Sequence, residues 1–174
     1  MLRCVFKSLR LADCRFSTTS RQSAMSGTLQ LEFMLTLYRD TVYHLEILDL
    51  CPVEEYTNLN IKLLQGFDAD IFMYCFNVAE PESLEGLKEE CIPRYSKLFP
   101  GHCSLIVGLC IDLREDPRTL ERLAKKGERP ITSEEGLKLA LEVGTSYVEC
   151  SAKTGEGVDN VFEEVSHRIL YPGA

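Results

Sequence analysis

The sequence lacks any apolar run long enough to cross a membrane. Its longest runs span about ten residues and contain polar interruptions, whereas a membrane-spanning helix needs about 20 apolar residues. The sequence also lacks an excess of positive charge, since its net charge is −8. This argues against generic nucleic-acid binding, which needs a basic surface. The eight cysteines form no C-x-x-C pair and no cysteine–histidine metal spacing. We therefore expect one soluble domain with buried free thiols.

The first 28 residues differ in composition from the rest. Residues 1–25 contain five basic residues and one acidic residue, a net charge of +4, so the remaining chain carries −12. An N-terminus that is rich in Arg and Ser and poor in acids is typical of a mitochondrial transit peptide. We interpret residues 1–28 as a disordered basic leader, residues 29–174 as the domain and the location as cytoplasmic. Mitochondrial targeting through residues 1–25 is the alternative.

Strands and helices alternate from residue 29 onward. Apolar and polar residues alternate over residues 29–37, and a second such segment spans residues 42–50, which predicts an antiparallel hairpin. Continuous apolar runs at residues 71–78 and 104–113 predict strands that are buried on both faces. Residues 146–150 form a last short strand. Strands separated by helices predict a doubly wound α/β domain with a mostly parallel sheet.

The helices between these strands have clear start and stop residues. Pro81 suits a first turn, and Pro93 is expected to kink the helix that follows. Asp116 before a proline predicts an N-cap, and Thr132 with Glu135 predicts a capping box. Apolar positions recur every three or four residues in the first and last helices, at 84, 87, 91, 95 and 98 and at 158, 161, 162, 165 and 169.

Two loops resemble the guanine-reading part of small GTPases. Residues 150–154 read C-S-A-K-T and resemble the family segment E-C-S-A-K-T. Residues 107–113 read V-G-L-C-I-D-L and resemble the family pattern V-G-[NT]-K-x-D-L, with Leu109 and Cys110 at the Asn/Thr and Lys positions.

This resemblance implies a set of guanine-binding residues. Asp112 would accept both guanine N–H donors, a two-bond match that discriminates against adenine. In the loop formed by Ser151, Ala152 and Lys153, a backbone amide would donate a hydrogen bond to the guanine O6. The Lys153 side chain would pack beside the base. The alternative for Asp112 is a plain strand-end cap.

A third segment resembles the family's W-D-T-A-G-Q-E-x-Y. Residues 48–56 read L-D-L-C-P-V-E-E-Y, and the resemblance places Asp49 on the metal side of the site. Pro52 replaces the glycine whose N–H meets the γ-phosphate, and proline has no N–H. Val53 replaces the glutamine that orients the attacking water, and valine cannot form that hydrogen bond. We therefore assign no catalytic residue.

Two further segments resemble the Rho family of Ras-superfamily GTPases. Residues 114–131 are similar to the Rho insert and its extra helix, and residues 80–85 are similar to the Rho segment S-P-x-S-[LF]-E. The resemblance covers about residues 42–170. It implies a small-GTPase fold of the P-loop NTPase type, GTP or GDP with Mg²⁺ as the ligand, and protein effectors or regulators as partners.

The phosphate-binding loop of that fold is missing. The motif G-x-x-x-x-G-K-[ST] needs glycine backbone amides and a lysine to hold the phosphates. The first glycine here is Gly27, and no Gly-Lys pair occurs anywhere. The family's first strand has no convincing counterpart either, and residues 1–9 are the only local candidate to fill its place. We therefore predict weak or absent GTP binding and hydrolysis, in a degenerate or N-terminally truncated member.

The sequence thus favours a protein-interaction module over an enzyme. Tyr56, Leu59 and the helix expected at residues 117–126 are the candidate partner-binding residues, with an ordinary surface as the alternative. An active GTP-hydrolysing switch and a truncated product of an intact Rho-type gene are the competing interpretations. The sequence ends without a C-terminal cysteine box, so we expect no prenyl anchor, and the missing strand makes self-association possible.

Overall fold

Seven strands form one mixed sheet in the computed structural model, which describes residues 2–10, 22–26, 29–38, 41–50, 61–62, 64–66 and 69–171. The strands lie in the order β2-β3-β4-β1-β5-β6-β7. Their bounds are β1 Leu2–Arg10, β2 Gln22–Ser26, β3 Leu29–Tyr38, β4 Thr41–Leu50, β5 Ile71–Asn77, β6 Cys103–Leu109 and β7 Ser146–Cys150.

The helices between and after the last three strands cover both faces of the sheet. Their bounds are α1 Pro81–Gly86, a π-helical turn Leu87–Cys91, α2 Ile92–Leu98, a 3₁₀ turn Ile111–Leu113, α3 Pro117–Ala124, α4 Ser133–Val143 and α5 Val158–Leu170. Residues 61–62 and 64–66 are also helical.

The two faces of β5 supply two separate hydrophobic clusters. Phe72, Tyr74 and Phe76 pack on one face against the helices before and after β6, including Leu87 and Leu139. The alternate residues of β5 pack on the other face against α5, in a cluster that includes Ile71, Met73, Cys75, Val161 and Val165. This two-residue period with helices on both sides confirms the doubly wound α/β arrangement around β5, β6 and β7.

The helix ends follow the predicted capping chemistry. Asp116 accepts a hydrogen bond of 2.8 Å from the Thr119 N–H at the start of α3. Thr132 and Glu135 form a complete capping box at the start of α4. Pro93 is the second residue of α2, and the π-helical turn that precedes α2 accommodates the helical hydrogen bond that a proline cannot donate. These predictions from sequence are confirmed.

β6 ends earlier than the apolar run suggests. We expected a strand to residue 113, but Cys110 adopts a left-handed conformation with φ 63° and ψ 38°. This reverses the chain and starts the 3₁₀ turn that carries Asp112. The strand therefore ends at Leu109.

β1 is the main departure from expectation. It lies between β4 and β5 and pairs antiparallel with both, with Val5 opposite Leu48 on one side and Phe72 on the other. β2 pairs antiparallel with β3 at the edge of the sheet. Residues 2–10 thus fill the gap between β4 and β5, for which residues 1–9 were the only local candidate.

Two expectations are corrected by these strands. Residues 2–10 and 22–26 are strands, where the sequence predicted a disordered leader. Parallel pairing is limited to β5, β6 and β7. β1 lies between β5 and the β3–β4 hairpin and pairs antiparallel with both β4 and β5. The sequence predicted a mostly parallel sheet with one antiparallel strand. Within the described part of the chain, none of the helices is long and apolar enough to span a membrane.

Deleting residues 2–10 tests the role of β1 in stability. The deletion removes the strand that both β4 and β5 pair with and leaves their edges unpaired. We expect the thermal midpoint to fall by at least about 6 °C, equivalent to about 3 kcal/mol at roughly 2 °C per kcal/mol. Calorimetry measures this shift. The double variant Arg3→Gln/Lys7→Gln, which keeps the backbone pairing, serves as the control, and an unchanged midpoint in the deletion would contradict the pairing.

Candidate functional site

Four strands end at the same edge of the sheet. β4 and β5 are both antiparallel to β1, so they run in the same direction, and β6 and β7 are parallel to β5. In α/β folds ligands bind in the crevice outside such carboxyl ends. The loops that follow β6 and β7 meet at this edge and bring the predicted residues together.

Asp112 connects these two loops. Its Oδ1 accepts a hydrogen bond of 2.5 Å from Ser151 Oγ, and its Oδ2 lies 3.4 Å from Lys153 Nζ. The Asp112 side chain is 12% exposed, whereas that of Lys153 is 76% exposed. The carboxylate therefore accepts a hydrogen bond from a buried hydroxyl and faces a solvent-exposed ammonium group.

The loop after β7 is built around fully buried Ser151. Its N–H donates to the Glu156 carbonyl at 2.8 Å, and its carbonyl accepts from the Gly155 N–H at 2.9 Å. Its Oγ also accepts from the Thr154 N–H at 3.2 Å. Gly157 has φ 71°, and a Cβ there would collide with the Glu149 carbonyl. The loop therefore closes tightly over Ser151 and leads directly into α5.

Arg114 fastens the segment that follows Asp112. Its Nε donates to the Ile131 carbonyl at 2.9 Å, and its two Nη atoms donate to the Glu149 carboxylate at 3.1 and 2.6 Å. Ser133 also donates to Glu149 at 2.9 Å. This bidentate pair joins both ends of residues 114–131 to β7. It positions the Asp112 turn relative to Ser151, since Glu149 lies two residues before it.

Tyr147 is also part of this network. Its hydroxyl donates to Glu149, and its ring stacks on Phe76 with centroids 6.2 Å apart and planes at 4°. A Cβ at Gly136 would overlap the Tyr147 ring. Gly136 is thus needed so that α4 can approach β7 closely.

The pKa values reflect these contacts. The Ser151 hydroxyl is the main reason that the pKa of Asp112 lies below its ordinary value, with Lys153 adding to the effect. Burial raises the pKa of Glu149, but hydrogen bonds from Arg114, Tyr147 and Ser133 outweigh it, and the net shift is downward. Both carboxylates are therefore ionised at neutral pH.

The structure brings some predicted site residues together and leaves others untested. Ser151 and Lys153 contact Asp112, and Ala152 is exposed between them. Asp49 lies near the carboxyl end of β4, opposite Cys4 and Gln30 in register, which puts it at the same edge of the sheet. The remaining predicted residues, Tyr56, Leu59, Pro52 and Val53, lie outside the described residues.

The sequence analysis missed the Arg114–Glu149 pair and the Tyr147 hydroxyl. The two charged residues lie 35 positions apart. Nothing in their local sequence distinguishes them from surface charges. Only Glu149, directly before the C-S-A-K-T segment, gave a positional signal.

The residues present fit one half of a guanine nucleotide. A carboxylate offers about four lone-pair positions, and Ser151 and Lys153 engage two of those on Asp112, which leaves acceptors for two N–H donors of a base. Among the residues that the structure describes, no three His, Cys, Asp or Glu side chains cluster to hold a metal. Arg10, the last residue of β1, lies at the edge of the sheet opposite Asp112, because β1 is antiparallel to β5.

Replacing Ser151 tests the electrostatics of this site. In Ser151→Ala, the pKa of Asp112 should rise towards the ordinary value of about 3.9, and the lost Thr154 N–H bond should cost about 1 kcal/mol. A carboxyl group with a lowered pKa stabilises the fold above its unfolded pKa and loses that contribution as pH falls through its folded pKa. The variant's deficit in thermal midpoint should therefore shrink below about pH 4.

Carbon-detected NMR titration of the Asp112 carboxyl measures the shift. Lys153→Gln is the matched comparison and should raise the pKa less, because the Lys153 ammonium is largely solvated. An equal or larger rise in Lys153→Gln would show that the lysine, rather than the buried hydroxyl, controls the carboxylate.

Comparison with known protein families matches this architecture. The model of the Ras family matches residues 8–171, a range that begins within β1 and includes both loops around Asp112. Members of this family in general bind GTP or GDP with Mg²⁺ and act through protein effectors and regulators. The chain belongs to the Ras family and is a small GTPase-like protein.

Proposed function

We propose that this protein is a Rho-type member of the Ras family that reads the guanine base weakly, has lost tight GTP binding and hydrolysis, and acts in signalling by binding proteins. The observation that carries the proposal is the polarity of β1. A phosphate loop must follow a strand at the carboxyl edge of the parallel sheet. β1 runs in the reverse direction, so its last residue, Arg10, lies at the opposite edge of the sheet.

The base-reading half supports a residual preference for guanine. The buried Ser151 hydroxyl and the Lys153 ammonium both stabilise the ionised form of Asp112, which is the form that accepts hydrogen bonds. The tight loop around Ser151 fixes this carboxylate before any ligand arrives, so little ordering is needed on binding. Asp112, Ser151, Ala152 and Lys153 are therefore the proposed guanine-binding residues, and Asp49 remains the proposed metal-side residue.

The lost phosphate contacts set the expected affinity. About four charge-assisted hydrogen bonds at roughly 1.5–3 kcal/mol each amount to about 6–12 kcal/mol. A picomolar binder at about −16 kcal/mol would then bind between tens of nanomolar and millimolar. Loss of the phosphate-loop Ser or Thr, which binds Mg²⁺ in this motif, weakens binding further and favours the weaker end of this range.

Residues 114–131 support the Rho-type assignment and a partner surface. The extra helix, α3, buries Thr119 and Leu123 while Leu120 is 41% exposed. The Arg122 guanidinium donates to the Ala79 carbonyl at 2.8 Å, which holds α3 against the turn after β5. Such a rigid helix with an exposed apolar residue is suited to recognition by a protein effector or regulator. Tyr56 and Leu59 are the other proposed partner-binding residues.

Two alternative functions make different demands on the chain. An active switch needs a phosphate-binding segment at the carboxyl edge, and magnesium-dependent nanomolar binding would favour it. Truncation of an intact Rho-type gene explains the missing phosphate loop. It does not explain Pro52, Val53, Leu109 and Cys110, which lie within the well-matched region.

Nucleotide titration tests the proposal directly. Calorimetry should give affinities of about micromolar or weaker for guanosine, GDP and GTP, within about tenfold of one another, because only the base is recognised. Asp112→Ala should abolish this binding, whereas Glu115→Ala, which removes a nearby exposed carboxylate, should leave it unchanged. Nanomolar GTP binding with turnover would overturn the proposal and favour the active switch.

We also propose a cytoplasmic location, which a fluorescent protein fused after residue 174 can test. The fusion should be diffuse, because residues 2–10 are held in the sheet and are not presented as a targeting segment. A second reporter carrying residues 1–25 alone is the comparison. Mitochondrial accumulation of the whole-chain fusion would establish the alternative.

A further inference from the structure

Helix α4 carries two large apolar side chains on its outer face. Leu141 is 72% exposed and Leu137 is 49% exposed, and Leu141 is the most exposed large apolar residue in the described part of the chain. The two lie four positions apart, so they are neighbours on the helix surface and form one patch. Neither residue belongs to a hydrophobic core cluster. Packing of the fold therefore does not account for them.

The apolar residues of α4 fall on two faces of the helix. Leu139, Ala140 and Val143 share the inner face and pack in the hydrophobic core. At 100° per residue, Leu137 and Leu141 both lie more than about 100° from the centre of that face. The inner face is sufficient to hold α4 on the sheet. The outer pair is therefore a second packing surface, and it lies on the side of the helix that faces solvent.

Two charged residues flank the leucine pair on the same side. On the helix surface, Lys138 and Glu142 follow Leu141 in the direction away from Leu137. The Lys138 Nζ lies 4.0 Å from Oε1 of Glu142, the longest separation of an ion pair, and both side chains are exposed. An exposed pair of this kind contributes little to the stability of its own helix. Both charges are therefore accessible to a partner of the opposite sign.

The order of these residues matches a second copy of α4 in antiparallel orientation. Positions 137 and 141 are symmetric about Leu139, so a two-fold axis there places Leu137 of one copy against Leu141 of the other. The same orientation brings Lys138 of each copy towards Glu142 of the other, because both charges lie on one side of the leucines. Each contact then occurs twice, as in any isologous interface. The patch is thus complementary to itself in both shape and charge.

We propose that α4 is the contact surface of a weak symmetric dimer of this chain, in which the two α4 helices pack antiparallel. The capping box of Thr132 and Glu135 and the left-handed Gly144 fix both ends of α4, so binding requires little ordering of the helix. Two leucines from each copy cover far less than the roughly 800 Å² that each partner of a stable complex buries. We therefore expect a dissociation constant of about 0.1 mM. This proposal does not depend on nucleotide binding.

Sedimentation equilibrium between about 10 µM and 1 mM measures this association. Salt at about 0.15 M screens the repulsion between two chains of net charge −8. The unmodified protein should pass from the mass of one chain to that of two over this range. Leu141→Gln should weaken dimerisation at least about tenfold, because each dimer loses two buried leucines. It should keep the thermal midpoint of the unmodified protein, since Leu141 lies outside the core. Leu98→Gln, which changes another exposed leucine, is the control and should dimerise normally.

Charge reversal tests the antiparallel orientation. Lys138→Glu makes both flanking positions acidic, and Glu142→Lys makes both basic, so each variant alone should dimerise several-fold more weakly. An equimolar mixture of the two variants should regain dimerisation, because every flanking pair between the different chains then has opposite charges. The pair within each helix stays mismatched in the mixture. A change in helix stability therefore cannot produce this recovery.

Three results would overturn the proposal. The mass of a single chain up to about 1 mM would show that the patch does not bind a second copy and would assign it to a different protein. Dimerisation that Leu141→Gln leaves unchanged would place the contact elsewhere on the surface. Failure of the mixed charge variants to recover would exclude the antiparallel arrangement.

Discussion

The antiparallel pairing of β1 with both β4 and β5 is the constraint on which the rest of the structure depends. It completes the sheet between the hairpin and the parallel strands. It also aligns β4 with β5, so that Asp49 and the loops after β6 and β7 share one edge. The same pairing places Arg10, the last residue of β1, at the opposite edge. One strand direction therefore brings Asp49 and the loops around Asp112 and Ser151 to one edge, and in the proposed function it leaves no place for a phosphate loop after β1.

The parts of the fold that could be predicted from the sequence depend on local chemistry. The caps at Asp116 and Thr132 involve residues within three positions of each other, and the apolar run of β5 fixes its burial on both faces. The polarity of β1 could not be predicted, because an alternating or helical pattern contains no information on strand direction. The left-handed Cys110 was also missed, since that conformation is uncommon for residues other than glycine. The meeting of Asp112 with Ser151 was predictable only through the family resemblance.

The candidate site is held in place by a network of side-chain hydrogen bonds that does not contact the proposed ligand. Arg114 joins residues 114–131 to Glu149, and Tyr147 supports Glu149 from the interior. The Arg114 and Glu149 side chains are only 25% and 20% exposed, so this pair is less screened by solvent than a surface ion pair. It keeps the Asp112 turn and the Ser151 loop in register. The carboxylate is thus oriented whether or not phosphates are recognised elsewhere.

This separation has a consequence for signalling. β1 and β5 lie between β4 and β6, so the turn carrying Asp112 is about 14 Å from the end of β4, at about 4.8 Å per strand. In the proposed function, a base bound at Asp112 makes no phosphate contacts and stays at about this distance from the end of β4, the strand that precedes Tyr56 and Leu59 in the sequence. A ligand shifts a conformational equilibrium only by its difference in affinity for the two states. In the proposed function, guanine binding therefore supplies no such difference at the end of β4, and partner binding through Tyr56 and Leu59 would be constitutive with respect to nucleotide.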